Sequence, residues 1–317
     1  MTMGKVAWVY PGQGSQSVGM GQDVVEAVPK TKDYLDTANA ILGYDLAHLC
    51  FEGPSSKLQK TKFTQPALFT VCAMLTYVLK SSGLEPDGTA GHSLGEYAGL
   101  FAADCLSFPE GVGLVAQRGS LMEKAVPAGE GSMAVLLGLN EQEIEKVCQE
   151  AAQGEVLELA NINCPGQIVI SGASSAVQRA LALGREKGAR RTMELAVSGP
   201  FHSSLMRPAA EEFTGLLKQI SWAEPVIPVV ANVTADYVSD TGVLRKLLTK
   251  QLYRPVRWEE SIRRLVNDGF QTFIEIGPGK VLTGLIRRIS RESRVVNFRG
   301  MQDLEKVLEI TKGDIVR

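Results

Sequence analysis

The sequence predicts an α/β protein: a largely parallel sheet with a smaller βαββαβ unit inserted into it. Three observations carry this. Short apolar runs of strand type alternate with helix-spaced segments along most of the 317 residues. Gly91-His92-Ser93-Leu94-Gly95 fits G-x-S-x-G, a sharp strand-to-helix turn whose glycines let the chain close. Between residues 133 and 197 the order strand, helix, strand, strand, helix, strand is that of a ferredoxin-like unit. It begins and ends near glycines. The expected division is therefore a small domain over 127–198 inserted into a large one made of 1–126 and 199–317.

Apolar residues make up 44% and charged residues 21%, an ordinary globular composition. The net charge is −2 and there is no basic run, which argues against nucleic acid or an anionic membrane as partner. The five cysteines (50, 72, 105, 148 and 164) contain no C-x-x-C pair. They read as reduced, buried thiols of a cytoplasmic protein, with no metal and no cofactor expected. Residues 1–10 are too short for a signal h-region, and the longest apolar stretch, 67–79, is too short and too rich in threonine to span a bilayer.

Taken in order, Val6-Ala7-Trp8-Val9-Tyr10 is a buried strand stopped by Pro11-Gly12. Gln13-Gly14-Ser15-Gln16 follows. It is no dinucleotide fingerprint, because Ser17 stands where a third glycine would be needed. It is either a plain turn or one whose N–H groups face a ligand at the strand's carboxyl end. Residues 23–49 read as helical with a break at Gly43-Tyr44. Pro66 suits an early helix position before a core helix over 67–79. Residues 86–90 allow only a short strand before the elbow, and the elbow helix is expected to start at Ser93. Phe108-Pro109-Glu110 opens the helix that carries Arg118. The inserted unit reads as strands 133–139, 156–161, 167–171 and 191–197, with helices 141–152 and 174–187. Beyond it come Gly199-Pro200-Phe201-His202, a helix that tolerates Pro208 near its first turn, and a strand over 227–232. A helix over 260–268 and a buried strand over 272–276 follow, the strand ending in Gly277-Pro278-Gly279-Lys280.

An elbow serine attacks only if a base takes its proton. Of three histidines, His48 sits on an amphipathic turn and His92 adjoins Ser93 but points elsewhere. His202 is the base by elimination. The Leu94 N–H and the helix N-terminus lie where an oxyanion would form. No acid is convincing: Asp104, Glu123, Glu130 and Glu194 lie between serine and histidine, none at a clear strand end. Either an acid comes from elsewhere or a backbone carbonyl orients His202. Arg118 either pairs structurally beside an apolar face or holds a carboxylate in a pocket. The clusters Arg185/Lys187/Arg190/Arg191 and Arg287/Arg288/Arg291 are either solvated surface or a face for an acidic helix.

Six separated motifs in one register give a family resemblance. They are Pro11-Gly12-Gln13-Gly14-Ser15-Gln16, Gly91-His92-Ser93-Leu94-Gly95-Glu96, Gln117-Arg118-Gly119, Asn161-Ile162-Asn163-Cys164-Pro165-Gly166-Gln167, Gly199-Pro200-Phe201-His202 and Gln251-Leu252-Tyr253-Arg254-Pro255-Val256-Arg257-Trp258. The chain resembles the malonyl-CoA:acyl carrier protein transacylases of bacterial fatty-acid synthesis. That resemblance implies an α/β-hydrolase-like core with a ferredoxin-like insertion. It implies a ping-pong transfer of malonyl from malonyl-CoA to acyl carrier protein through Ser93, with His202 as base. Gln13 and Leu94 N–H groups would form the oxyanion hole, and Arg118 would hold the malonyl carboxylate. His92, Asn163 and Phe201 would meet the substrate, and the Gln251 main-chain carbonyl would orient His202. On that account Gln251→Ala should be nearly silent. The rivals are a thioesterase or esterase, which needs no carboxylate clamp, and a non-catalytic carrier-binding module, which needs no Ser93 and His202 together.

Overall fold

A computed structural model describes residues 4–238 and 240–312. Among them nine strands occur in chain order: β1 (Lys5–Tyr10), β2 (Gly88–Gly91), β3 (Gly131–Leu137), β4 (Leu157–Cys164), β5 (Gln167–Ala173), β6 (Arg191–Glu194), β7 (Val229–Val230), β8 (Phe270–Ile276) and β9 (Arg294–Phe298). They form two sheets, in the order β7-β2-β1-β8-β9 and β4-β5-β3-β6.

The first sheet is parallel throughout. Its strands are apolar on both faces because helices cover both: Trp8 and Tyr10 join one core cluster, Ala7 and Val9 the other. The chain runs from central β1 outward to β2 and β7, then returns to build β8 and β9 on the opposite side. β1 is therefore the switch point, and the crevice at its carboxyl end is where such sheets take ligands.

The second sheet is antiparallel and has the strand order of a ferredoxin-like unit. Alternation sorts its faces. Ala134 and Leu136 of β3 pack under the helices Glu141–Ala152 and Ser174–Glu186, while Met133 and Val135 join the main core. Residues 252–256 lie along the β4 edge, where Val256 N–H donates to Ala160 O at 2.8 Å. The expected α/β class is thus the observed one.

Several expected boundaries move, each for a physical reason. The elbow helix spans Gly95–Ala102 and does not start at Ser93, whose φ of 52° is left-handed. The core helix is longer than expected, Thr61–Ser81, and Pro66 lies inside it. The strand expected over 227–232 shrinks to two residues. β6 stops at Glu194, releasing Leu195 to Val197 from the sheet. A helix over Thr241–Gln251, capped by the Asp240 side chain, is an addition. All five cysteines are buried and unpaired. Among the described residues no helix is long and apolar enough to cross a membrane, and no cluster of side chains could hold a metal ion.

Candidate active site

β2 delivers Ser93 to the switch point. His92 N–H donates to Tyr10 O at 2.9 Å, so the strand stays in register to the last residue before the elbow. The turn then closes on two glycines. A Cβ on Gly91 would overlap the Gly95 carbonyl, and one on Gly95 would overlap the carbonyl of Tyr10. Asn232, two residues past the end of the short outer pairing, fastens the strained serine. Its Oδ1 accepts from Ser93 N–H at 2.7 Å and its Nδ2 donates to Gly91 O at 2.6 Å. A left-handed serine persists because its surroundings over-determine it.

His202 is also left-handed, with φ 59°, and its N–H donates to Leu252 O at 3.1 Å. Its Nδ1–H donates to the Gln251 carbonyl at 2.7 Å, which leaves Nε2 unprotonated to accept from Ser93 Oγ–H at 2.9 Å. A carbonyl only accepts, so the tautomer is fixed. The open question of the missing acid closes here. Asp104, Glu123 and Glu194 bond Lys80, Lys62 and Gln178, away from this relay. Burial first, and Arg118 second, push His202 from 6.5 down to about 3, so it is neutral at neutral pH. His48 is on the surface, 3.7 Å from Glu52.

Arg118 is fully buried on the helix Phe108–Lys124. Its Nη1 donates to Gln65 Oε1 at 2.9 Å. Its Nη2 donates to Gln251 Oε1 at 2.8 Å and to Ser93 Oγ at 3.2 Å. Its Cζ lies 5.3 Å from the centre of the Tyr97 ring. Gln251 Nε2 donates to Ser93 O at 2.9 Å and to Glu96 Oε2 at 2.7 Å. The Gln251 side chain is thus engaged as well as its carbonyl: its amide joins nucleophile, cation and a buried carboxyl. Burial raises that carboxyl, Glu96, from 4.5 to about 7, against the bonds from Gln251 and Asn232 and the charge of Arg118.

A cavity of about 150 Å³ opens beside these groups, lined by Gln13, His92, Ser93, Leu94, Arg118, Phe201 and His202 from the first sheet's side. Met133, Asn161 and Leu195 to Val197 close it from the second sheet's side, and Gln65 and Met122 also face it. Among the described residues the Gln13 and Leu94 N–H groups have no acceptor. Gln13 Nε2 donates to Thr61 Oγ1 at 3.1 Å, and Thr61 Oγ1 lies 2.8 Å from Ser198 Oγ. Asn163 is not in the lining. It stands behind His92, whose Nε2 is 2.9 Å from its Oδ1. Of the expected residues, then, all but Asn163 and Gln251 face the cavity directly, and those two grip ones that do.

Gln65, Glu96 and Asn232 were not singled out from sequence as site residues. Glu96 ends the elbow motif and was within reach. Gln65 had only one weak signal, an amide just before the apolar run of its helix. Asn232 needed the end of β7 to be placed correctly.

A family model described as an acyl transferase domain matches residues 7–307. A malonyl CoA-acyl carrier protein transacylase of Bacillus subtilis is 45% identical over 311 residues, covering 98% of each chain. One from Staphylococcus aureus is 43% identical over 304 residues, covering 96% of this chain and 98% of the relative. Among solved structures, an acyl carrier protein S-malonyltransferase from Vibrio cholerae superposes with a TM-score of 0.93 at 44% identity, over 96% of this chain and 99% of the other. A malonyl-transacylase solved in complex with its type II PKS acyl-carrier protein gives 0.94 at 41% identity, over 96% and 99%.

Proposed function

The chain belongs to the acyl transferase domain family, and from that premise we propose that it carries malonyl from malonyl-CoA to the phosphopantetheine thiol of acyl carrier protein, for fatty-acid synthesis. Ser93 Oγ attacks the thioester carbonyl as its proton passes to His202 Nε2. The oxyanion takes the Gln13 and Leu94 N–H groups. The C–S bond breaks, the CoA sulfur takes the proton from His202, and malonyl remains as an ester on Ser93. The carrier thiol then attacks that ester, giving its proton to His202, and the serine oxygen recovers a proton as it leaves. The Gln251 carbonyl holds the imidazole in the tautomer both halves need. In this reading 127–198 is the inserted small domain and 1–126 with 199–317 the large one, and the acyl group sits between them. Five reduced thiols suit a cytoplasmic enzyme.

One observation carries the choice of malonyl. A buried guanidinium lies 3.2 Å from the nucleophile, and the hydrogen bonds it makes are to neutral groups. An acyl chain ending in a carboxylate supplies the directly bonded anion that this cation lacks. It also offsets the Arg118 charge, second after burial among the causes that hold His202 low, so the base strengthens as the correct substrate settles.

The test is kcat/KM with malonyl-CoA and acetyl-CoA for wild type, Arg118→Ala and Arg118→Lys. Arg118→Ala should lose roughly 2–5 kcal/mol on malonyl-CoA, about 30- to 4,000-fold, with no parallel loss on acetyl-CoA. Lysine should restore little, having no two-pronged donor. Intact mass after malonyl-CoA treatment should show the adduct on wild type and none on Ser93→Ala. Equal losses on both acyl groups would remove Arg118 from the clamp and malonyl from the assignment.

A further inference from the structure

A buried arginine is ordinarily met by a carboxylate, and two positions here are built for one. Gln65 Oε1 accepts from Arg118 Nη1 at 2.9 Å and Gln251 Oε1 accepts from Nη2 at 2.8 Å. Glutamate has nearly the same shape as glutamine and would bond the guanidinium more strongly. Yet both positions hold a neutral amide, and both side chains are essentially without solvent exposure. A carboxyl is available nearby in Glu96, but the Gln251 amide stands between it and the cation. Nε2 faces Glu96 at 2.7 Å while Oε1 faces Arg118. Glu96 is further occupied by Asn232 N–H at 3.3 Å, and burial favours its neutral form. The Arg118 Nε has no partner among the described residues. The guanidinium is thus aimed and fixed at both of its outer nitrogens by neutral groups, while Glu96, the carboxyl whose field it feels, is held off by the Gln251 amide and makes no direct bond to it.

We propose that Gln65 and Gln251 are specificity-determining residues whose neutral amides position Arg118 without neutralising it, so that the acyl carboxylate is the one anion it bonds directly. The proposal rests on the malonyl reading above and names the residues that keep the clamp unoccupied. A glutamate at 65 would form a permanent internal pair with Arg118, and an arriving carboxylate would then meet a neutralised cation and a second anion. A neutral acyl group would not suffer that repulsion. The site would turn from one that demands a carboxylate to one that tolerates its absence.

The experiment compares kcat/KM for malonyl-CoA and acetyl-CoA in wild type, Gln65→Glu and Gln65→Met, with acyl carrier protein as acceptor and thermal melts to follow folding. Gln65→Glu should lose about 100-fold or more on malonyl-CoA but less than about tenfold on acetyl-CoA, as expected when one member of a buried charge pair is already satisfied. Gln65→Met removes the positioning acceptor without adding charge, and its malonyl preference should fall by about tenfold, well short of the loss in Gln65→Glu. Equal losses on both substrates in Gln65→Glu overturn the proposal. So does a Gln65→Met enzyme whose malonyl preference is unchanged, because the amide then positions nothing, and that arm decides the matter even if the glutamate variant does not fold. Wild type showing no malonyl preference overturns the underlying malonyl reading, and this proposal with it, before any variant is made.

Discussion

Replacing Gln251 by alanine keeps the carbonyl that bonds His202 but strips the amide from Ser93 O, Glu96 and Arg118. Each buried partner left unmatched costs about 1–3 kcal/mol. Gln251→Ala should therefore lower kcat/KM for malonyl transfer by roughly 30-fold or more. Steady-state rates near wild type would show that the carbonyl alone matters. Two buried groups of the same cluster titrate in opposite senses. His202 is held at about 3 against an ordinary 6.5, so the stability tied to its neutral form is complete above 6.5 and lost as pH falls toward 3. Glu96 is raised to about 7 from 4.5, so its contribution is complete below 4.5 and lost as pH rises through 7. Between 4.5 and 6.5 the two slopes oppose each other. Glu96→Gln should uncover the histidine slope: stability falling on acidification by up to about 1.4 kcal/mol per pH unit in that window. Urea melts of His202→Ala should slope the other way. Ser93 and His202 were legible because nucleophile and base allow few residue types and the chain has only three histidines, whereas the residues alone left Arg118 open between a structural pair and a clamp. The amides around Arg118 were not, because glutamine is common and its meaning here lies in what it replaces.

At the scale of elements, glycine separates two kinds of position. Gly91 and Gly95 admit no Cβ, because the elbow packs backbone against backbone. Alanine at either should cost about 1–3 kcal/mol and shift the serine away from its base. Gly215 and Gly284 lie in the helices Arg207–Leu217 and Val281–Ile289 with open space around them. Alanine there should stabilise by roughly 0.4–1 kcal/mol, read from denaturation midpoints, with acylation untouched. A destabilising Gly284→Ala would mean that the helix is more crowded than its geometry implies. The elbow and the alternating strands were readable because glycine spacing and period-2 patterns are local. The short β7 was over-read because tertiary bonding, from Asn232 to Ser93 and Gly91, pulls its continuation out of the sheet. The helix Thr241–Gln251 was missed although Asp240 caps it and Leu244, Leu247 and Leu248 face the core.

Across the whole molecule, three distant segments meet at Thr61. Its hydroxyl joins Gln13 of the first turn to Ser198 of the strap that leads from β6 back to His202. Thr61→Val keeps the shape and removes both bonds. It should lower kcat about tenfold through the Gln13 loop while costing stability only about 1–2 kcal/mol. A loss confined to KM would place the effect at substrate entry instead. The inserted unit was legible as a strand and helix order. Its contribution to the cavity, through Met133, Asn161 and Leu195 to Val197, was not, since no local pattern tells where two sheets will face each other. The position of β1 has a consequence for how the chain is made. It is made before the other described strands, yet one of its two edges pairs with β8, some 260 residues later. At translation speeds of about 5–20 residues per second, that edge waits roughly ten to fifty seconds for its neighbour. During this interval a strand buried from Ala7 to Tyr10 in the finished fold has an open side, so nascent chains stalled before residue 270 should be far more prone to aggregate and to recruit chaperones than the released protein.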